Sequence, residues 1–115
     1  MTLREVANIT NARVVCGQEL LDTEVNSACG SDMMSDVLAT VKDQALLVTG
    51  LLNPQVVRTA LMMDMKCICF VRGKIPDEKI IEIAKENNIV ILATNYTMFV
   101  ACGKLYAAGL RGEFV

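Results

Sequence analysis

The alternation of apolar and polar positions divides the chain into short elements. Thr2-Leu3-Arg4-Glu5 has the spacing of a capping box, in which the threonine hydroxyl accepts from the Glu5 backbone N–H while the glutamate reaches back, so a helix is predicted from Leu3 to about Ile9. Ala12 to Cys16 and Glu24 to Cys29 are β-type runs closed by Gly17 and Gly30, with polar residues between them suited to a connecting loop. Met33, Met34, Val37, Leu38 and Val41 then recur at spacings of three and four, which predicts a helix from Met33 to Val41 capped by Ser31 or Asp32.

From Ala45 onward strands and helices alternate with little punctuation. Strands are predicted at Ala45 to Val48, Cys67 to Val71 and Ile89 to Ala93, and helices from Pro54 to about Met65, from Pro76 to Asn87 and from Thr97 to about Ala108. Asn53-Pro54 and Pro76 suit helix starts, and Asn87-Asn88 tolerate the left-handed geometry of a helix end. The last helix is expected to bury Met98, Ala101, Cys102 and Leu105. Gly50 and Pro54 superpose on Gly73 and Pro76, a weak internal repeat of strand, glycine and proline-initiated helix. Parallel neighbours need crossovers, and helices cover sheet faces. The expected fold is therefore α/β, a small mostly parallel sheet with βαβ crossovers and helices packed on it in two or three layers. Right-handed crossovers put the loops after the three strands on one edge.

Composition narrows the function. The 115 residues are 53% apolar and 21% charged with a net charge of −2, and with two prolines and seven glycines they offer no linker, so one domain over the whole chain is expected. No Lys/Arg cluster is present to neutralise phosphates along one face, which argues against nucleic acid as a partner. The most apolar window runs only from Ala45 to Leu52 and includes Thr49 and Gly50, too short to cross a membrane. The first residues lack the apolar stretch of a signal peptide, and five scattered cysteines fit reduced thiols, so a cytoplasmic location is expected. Histidine is absent, which removes imidazole acid–base chemistry, Ser-His and Cys-His nucleophile pairs and imidazole zinc sites.

The loops after the three strands collect Thr49, Gly50, Arg72, Gly73, Thr94, Asn95 and, at the next helix start, Thr97. The carboxyl ends of strands are the usual crevice of an open α/β sheet, and free backbone N–H groups at helix starts suit an anion, so these residues are the candidate ligand site. The plainer alternative is that the glycines only turn the chain and Thr97 only caps a helix. Neither a GxxxxGK[ST] nor a GxGxxG run is present. Cys67 and Cys69 fall on one strand face and read as buried structural thiols, and no charged neighbour marks Cys29 or Cys102 as a thiolate. Asp32 and Asp36, one helical turn apart, could meet a cation or simply favour the helix dipole. No catalytic residue, metal ligand set or cofactor is nominated. The run Leu61-Met62-Met63-Asp64-Met65, with Met33-Met34, is either core filler or a self-association surface, because so small a domain cannot easily hide its apolar residues.

Leu47-Val48-Thr49-Gly50, the Arg72-Gly73 turn with Pro76, and Ile91-Leu92-Ala93-Thr94 followed by Thr97 resemble the DRTGG domain, and Leu3-Arg4-Glu5-Val6-Ala7 with Val14-Val15-Cys16-Gly17 extend the likeness over nearly the whole chain. That family occurs alone, in phosphotransacetylases and between CBS domains of regulated pyrophosphatases. More distantly, the chain resembles N-terminal domains of HPr kinase/phosphorylases and muramoyl-peptide ligases. The resemblance implies an α/β domain that is regulatory or dimer-forming, with no settled catalytic activity of its own. The expectation is thus a non-enzymatic module that forms a homodimer through an apolar helix face, takes a small phosphorylated or nucleotide ligand at the strand ends and acts with a partner enzyme. The rival expectation is an accessory protein of a phosphotransfer system, using Arg72, Thr94 and Thr97, or of a redox or metal-cluster enzyme system, using Cys29, Cys67, Cys69 or Cys102.

Overall fold

The computed structural model describes residues 1–40 and 45–112. In chain order the elements are α1 (Leu3–Ile9), β1 (Arg13–Cys16), a 3-10 turn (Gln18–Leu20), β2 (Ser27–Gly30), α2 (Met34–Thr40), β3 (Ala45–Thr49), α3 (Pro54–Met62), β4 (Cys67–Phe70), α4 (Glu78–Glu86), β5 (Val90–Ala93) and α5 (Met98–Ala107). The five strands form one sheet in the order β1-β5-β4-β3-β2. β2, β3, β4 and β5 run parallel, and β1 closes the far edge antiparallel to β5 with an irregularity between Val14 and Cys16.

Alternation along the strands builds two cores. Leu46, Val48, Cys67, Cys69, Val90 and Leu92 face α1 and α5, where they meet Leu3, Val6, Ala101 and Leu105. Leu47, Ile68, Phe70 and Ile91 face α2, α3 and α4, where they meet Val37, Val56, Val57, Ile80 and Ala84. The result is a three-layer α/β/α sandwich. β3 and β4 are buried at every position, as central parallel strands covered on both faces must be. Cys67 and Cys69 share a face, as alternate residues do.

Several boundaries differ from those read in the sequence. β2 is confined to Ser27–Gly30 because Glu24 bridges Thr2 and the Val25 N–H donates to the Met1 carbonyl, tying that stretch to the N-terminus instead of the sheet. α2 begins at Met34. The Ser31 hydroxyl accepts from the Met33 N–H, whereas Asp32 turns away from the helix altogether. Thr40 is the last described residue of α2, and Val41 lies outside the described residues. α3 stops at Met62, short of Met65, because Asp64 adopts φ 54°. Pro76 stays outside α4, buried just ahead of Asp77, whose carboxylate caps the helix by accepting from the Ile80 N–H at 3.0 Å.

Four helices share one ending. Asn11, Asp64, Asn88 and Gly109 each take positive φ, and the next residue (Ala12, Met65, Ile89, Leu110) donates its N–H back to Ala7, Ala60, Ala84 and Leu105 respectively, which is the Schellman closure. The capping box at the other end of α1 is also formed, and the Thr2 backbone N–H, followed by its hydroxyl, holds the Glu5 carboxyl below the ordinary range.

The methionine run divides. Met34 and Met65 are buried, while Met33, Leu61 and Met62 are exposed, Met62 by 72%. Cys102 and Met98 of α5 are only partly buried, and Phe99 beside them is 87% exposed.

Candidate functional site

Because β3, β4 and β5 are parallel, the loops after Thr49, Phe70 and Ala93 emerge along one edge of the sheet. β1 enters that edge from the opposite direction, Arg13 opposite Ala93, and so delivers Asn11 and Arg13 to the place where β5 ends. The loops after β4 and β5 are stapled together by Arg72 N–H to the Tyr96 carbonyl, 2.8 Å, and Gly73 N–H to the Thr94 carbonyl, 3.0 Å.

At the β3 end of the edge, the anion is supplied by the chain itself. Asp32, leaving β2, places Oδ1 2.7 Å from the Gly50 backbone N and 3.1 Å from the Thr49 hydroxyl, both of which donate to it. Its Oδ2 accepts from the Arg72 guanidinium at 3.5 Å. The Thr49 hydroxyl is buried and also accepts from the Leu51 N–H. Gly50 lets the Arg72 guanidinium cross directly over it: a methyl group at its Cα would displace the end of that side chain. Arg72 reaches that position from a left-handed backbone at φ 61°, a conformation an arginine holds only where the surrounding structure dictates it. Asp32 therefore has a role that its place near a helix start does not reveal. It occupies the donors that an incoming anion would use at Thr49, Gly50 and Arg72.

The pair is half-exposed, so its Coulombic attraction is worth little, while the Gly50 and Thr49 hydrogen bonds to a carboxylate are worth more. Replacing Asp32 with alanine is expected to lower stability by about 1–3 kcal/mol, whereas Arg72→Ala is expected to cost less than about 1 kcal/mol. Urea midpoints at neutral pH decide the ranking, and a larger loss for Arg72→Ala would show that the ion pair, not the backbone donor, holds the loop.

At the β5 end the arrangement is open. Asn11, Arg13, Gly73, Lys74 and Asn95 surround a cleft of about 200 Å³ floored by Ala93 and Thr94. Thr94 contributes backbone more than hydroxyl, since its Oγ1 donates to the Thr10 carbonyl at 2.6 Å and accepts from the Tyr96 N–H. Thr97 lies outside the cleft lining and caps α5 by accepting from the Val100 N–H at 3.3 Å. The seven residues nominated from the sequence are thus split: Thr49, Gly50 and Arg72 gather round Asp32, Gly73, Thr94 and Asn95 line the cleft, and Thr97 closes a helix. Asn11, Arg13 and Lys74 were not singled out by the sequence, because nothing local announces that β1 will lie beside β5.

The thiols sit elsewhere. Burial pushes the Cys69 thiol up to about 12 and the Cys67 thiol well above its ordinary value, and Cys16 and Cys102 are raised for the same reason, so these groups stay protonated near neutral pH. Among the described residues no three His, Cys, Asp or Glu side chains converge on a metal-sized position. No helix among them is long and apolar enough to cross a membrane.

A three-layer α/β/α sandwich with a polar, loop-lined carboxyl edge is the class of domain defined here. The DRTGG domain model matches residues 5–108, and the chain belongs to that family. Its fold is similar to that of the CBS and DRTGG domains of the regulatory region of Clostridium perfringens pyrophosphatase, a structure complexed with the activator diadenosine tetraphosphate, with a TM-score of 0.72 and 17% sequence identity. That likeness covers 90% of this chain and 45% of the other, so the chain spans less than half the length of the regulatory region it matches. No curated protein sequence matches it.

Proposed function

We propose that this chain is a non-enzymatic regulatory module of the DRTGG family that works as a homodimer, takes a small phosphorylated or nucleotide ligand at the carboxyl edge of its sheet, and acts with a partner enzyme. The observation that carries the reading is the cleft at the end of β5, which places cationic and amide side chains at the position where open α/β sheets receive ligands. Family membership supports the regulatory part, and the neighbour of known structure is a regulatory region whose activator is a nucleotide. The chemistry of the edge supports a binding role over a catalytic one. Its Thr94 hydroxyl is committed to backbone partners, its carboxylate Asp32 is held by Gly50, Thr49 and Arg72, and the chain has no histidine.

Dimerisation is supported by the exposed apolar side chains Met33, Leu38, Leu61 and Met62 on and beside α2 and α3. Light-scattering mass measured alongside a thermal-shift screen of adenine nucleotides and phosphorylated metabolites tests both parts. The expected result is a dimer whose melting temperature rises with at least one of these compounds, since a ligand that binds only the native state stabilises it by mass action. Met62→Lys is expected to shift the mass toward the monomer. A wild-type monomer would overturn the dimer, and indifference to every compound would overturn the ligand.

A further inference from the structure

The cationic side chains Arg72, Arg13 and Lys74 at the carboxyl edge differ in how they are compensated. Arg72 faces Asp32 at 3.5 Å and its charge is matched. Arg13 and Lys74 line the cleft at the end of β5, and among the described residues neither forms an ion pair. Two unmatched cations on one small concavity repel each other, and an anion between them removes that repulsion as well as adding attraction. The neutral lining has the complementary chemistry: Asn11 and Asn95 each bring an amide that can donate to oxygen. The loops after β4 and β5 that form the cleft are joined through the Arg72 and Gly73 N–H groups.

From this we infer that the chain's phosphoryl-binding position is the cleft formed by Asn11, Arg13, Lys74 and Asn95, and that the neighbouring Thr49-Gly50-Arg72 loop is closed to the ligand by Asp32. The inference rests on the ligand-binding reading above and fixes where on the edge the ligand sits and which part of it is recognised. The cleft holds about 200 Å³, less than the ~300 Å³ at which pockets begin to enclose a whole drug-sized molecule. It therefore takes the phosphoryl end of a ligand and leaves the remainder outside, against the exposed Ile75 on its rim. Recognition by a phosphoryl end makes inorganic phosphate and pyrophosphate sufficient probes.

The test compares the full chain with an Arg13→Ala/Lys74→Ala double variant and, separately, with Arg72→Ala, each titrated with pyrophosphate and with AMP at matched ionic strength and read by melting temperature. Both substituted side chains of the double variant are exposed, so its fold is retained and its unliganded melting point is the control. The expected result is that pyrophosphate and AMP both stabilise the wild type, that the double variant weakens both by at least about tenfold, and that Arg72→Ala leaves them within about threefold. Binding that survives the double variant unchanged, or that is lost in Arg72→Ala, would overturn the placement while leaving the ligand reading intact. AMP binding without pyrophosphate binding would overturn recognition through the phosphoryl end. If neither these probes nor any compound of the wider screen binds the wild type, the ligand reading itself falls and the site falls with it.

Discussion

Replacing Phe70 with alanine is expected to remove about 3–5 kcal/mol of stability, the loss typical of a buried aromatic truncated inside a core that cannot collapse around the gap. Among the described residues Phe70 is the largest fully buried side chain, it lies on the central strand β4, and it belongs to the core under α2, α3 and α4. Domains of this size hold only about 5–15 kcal/mol in total, so the variant should sit near the edge of folding at physiological temperature. Urea denaturation with an unchanged slope and a lowered midpoint is the expected signature. A loss below about 1 kcal/mol would mean that the helices on that face repack far more freely than the sandwich implies.

The second large effect is expected at Gly17, where β1 ends. Its φ is +90°, and a Cβ would lie 2.8 Å from Val90 Cγ2 and 3.0 Å from the Val90 Cα. Since that Cα belongs to β5, the neighbour cannot swing aside. Gly17→Ala should therefore combine left-handed strain with overpacking and cost about 2–4 kcal/mol. Gly109→Ala separates the two contributions, because Gly109 has φ +112° but nothing within 4 Å of the added carbon. It is expected to cost only the backbone strain, about 1–2 kcal/mol. Equal losses at both positions, read from thermal or urea midpoints, would show that the approach to Val90 is irrelevant.

Much of the scaffold is legible in the chain because its causes are local. Thr2 with Glu5, Asn53 with Pro54, and Asn88 after α4 each act on residues a few positions away, and the unbroken apolar runs Leu46 to Val48 and Cys67 to Phe70 follow directly from having helices on both faces. The misplaced boundaries come from choices between adjacent local signals. Asp77 is a better cap than Pro76 is a start, and Asp64 can take the left-handed turn that ends α3 before its apolar pattern runs out. The site is harder because its partners are remote. Nothing near Asp32 indicates that its carboxylate will meet Gly50 and Arg72, and nothing near Thr94 indicates that its hydroxyl will be spent on the Thr10 carbonyl. Topology points to the carboxyl edge as a candidate region and leaves open which of its donors are already satisfied.

The closure of α1 has a consequence for how binding at the edge would be felt. Asn11 is both the left-handed residue that ends the helix and a wall of the cleft, its N–H donating to Asn8 and that of Ala12 to Ala7. The carbonyl of Thr10, immediately before it, receives the Thr94 hydroxyl across the sheet. Fraying of α1 at this end would displace a wall of the cleft, and the exchange rates of the Asn11 and Ala12 amide hydrogens are expected to report it. A ligand held by Asn11 would slow that exchange and brace the N-terminal helix, carrying an event at the loops to the layer of the sandwich that α1 shares with α5.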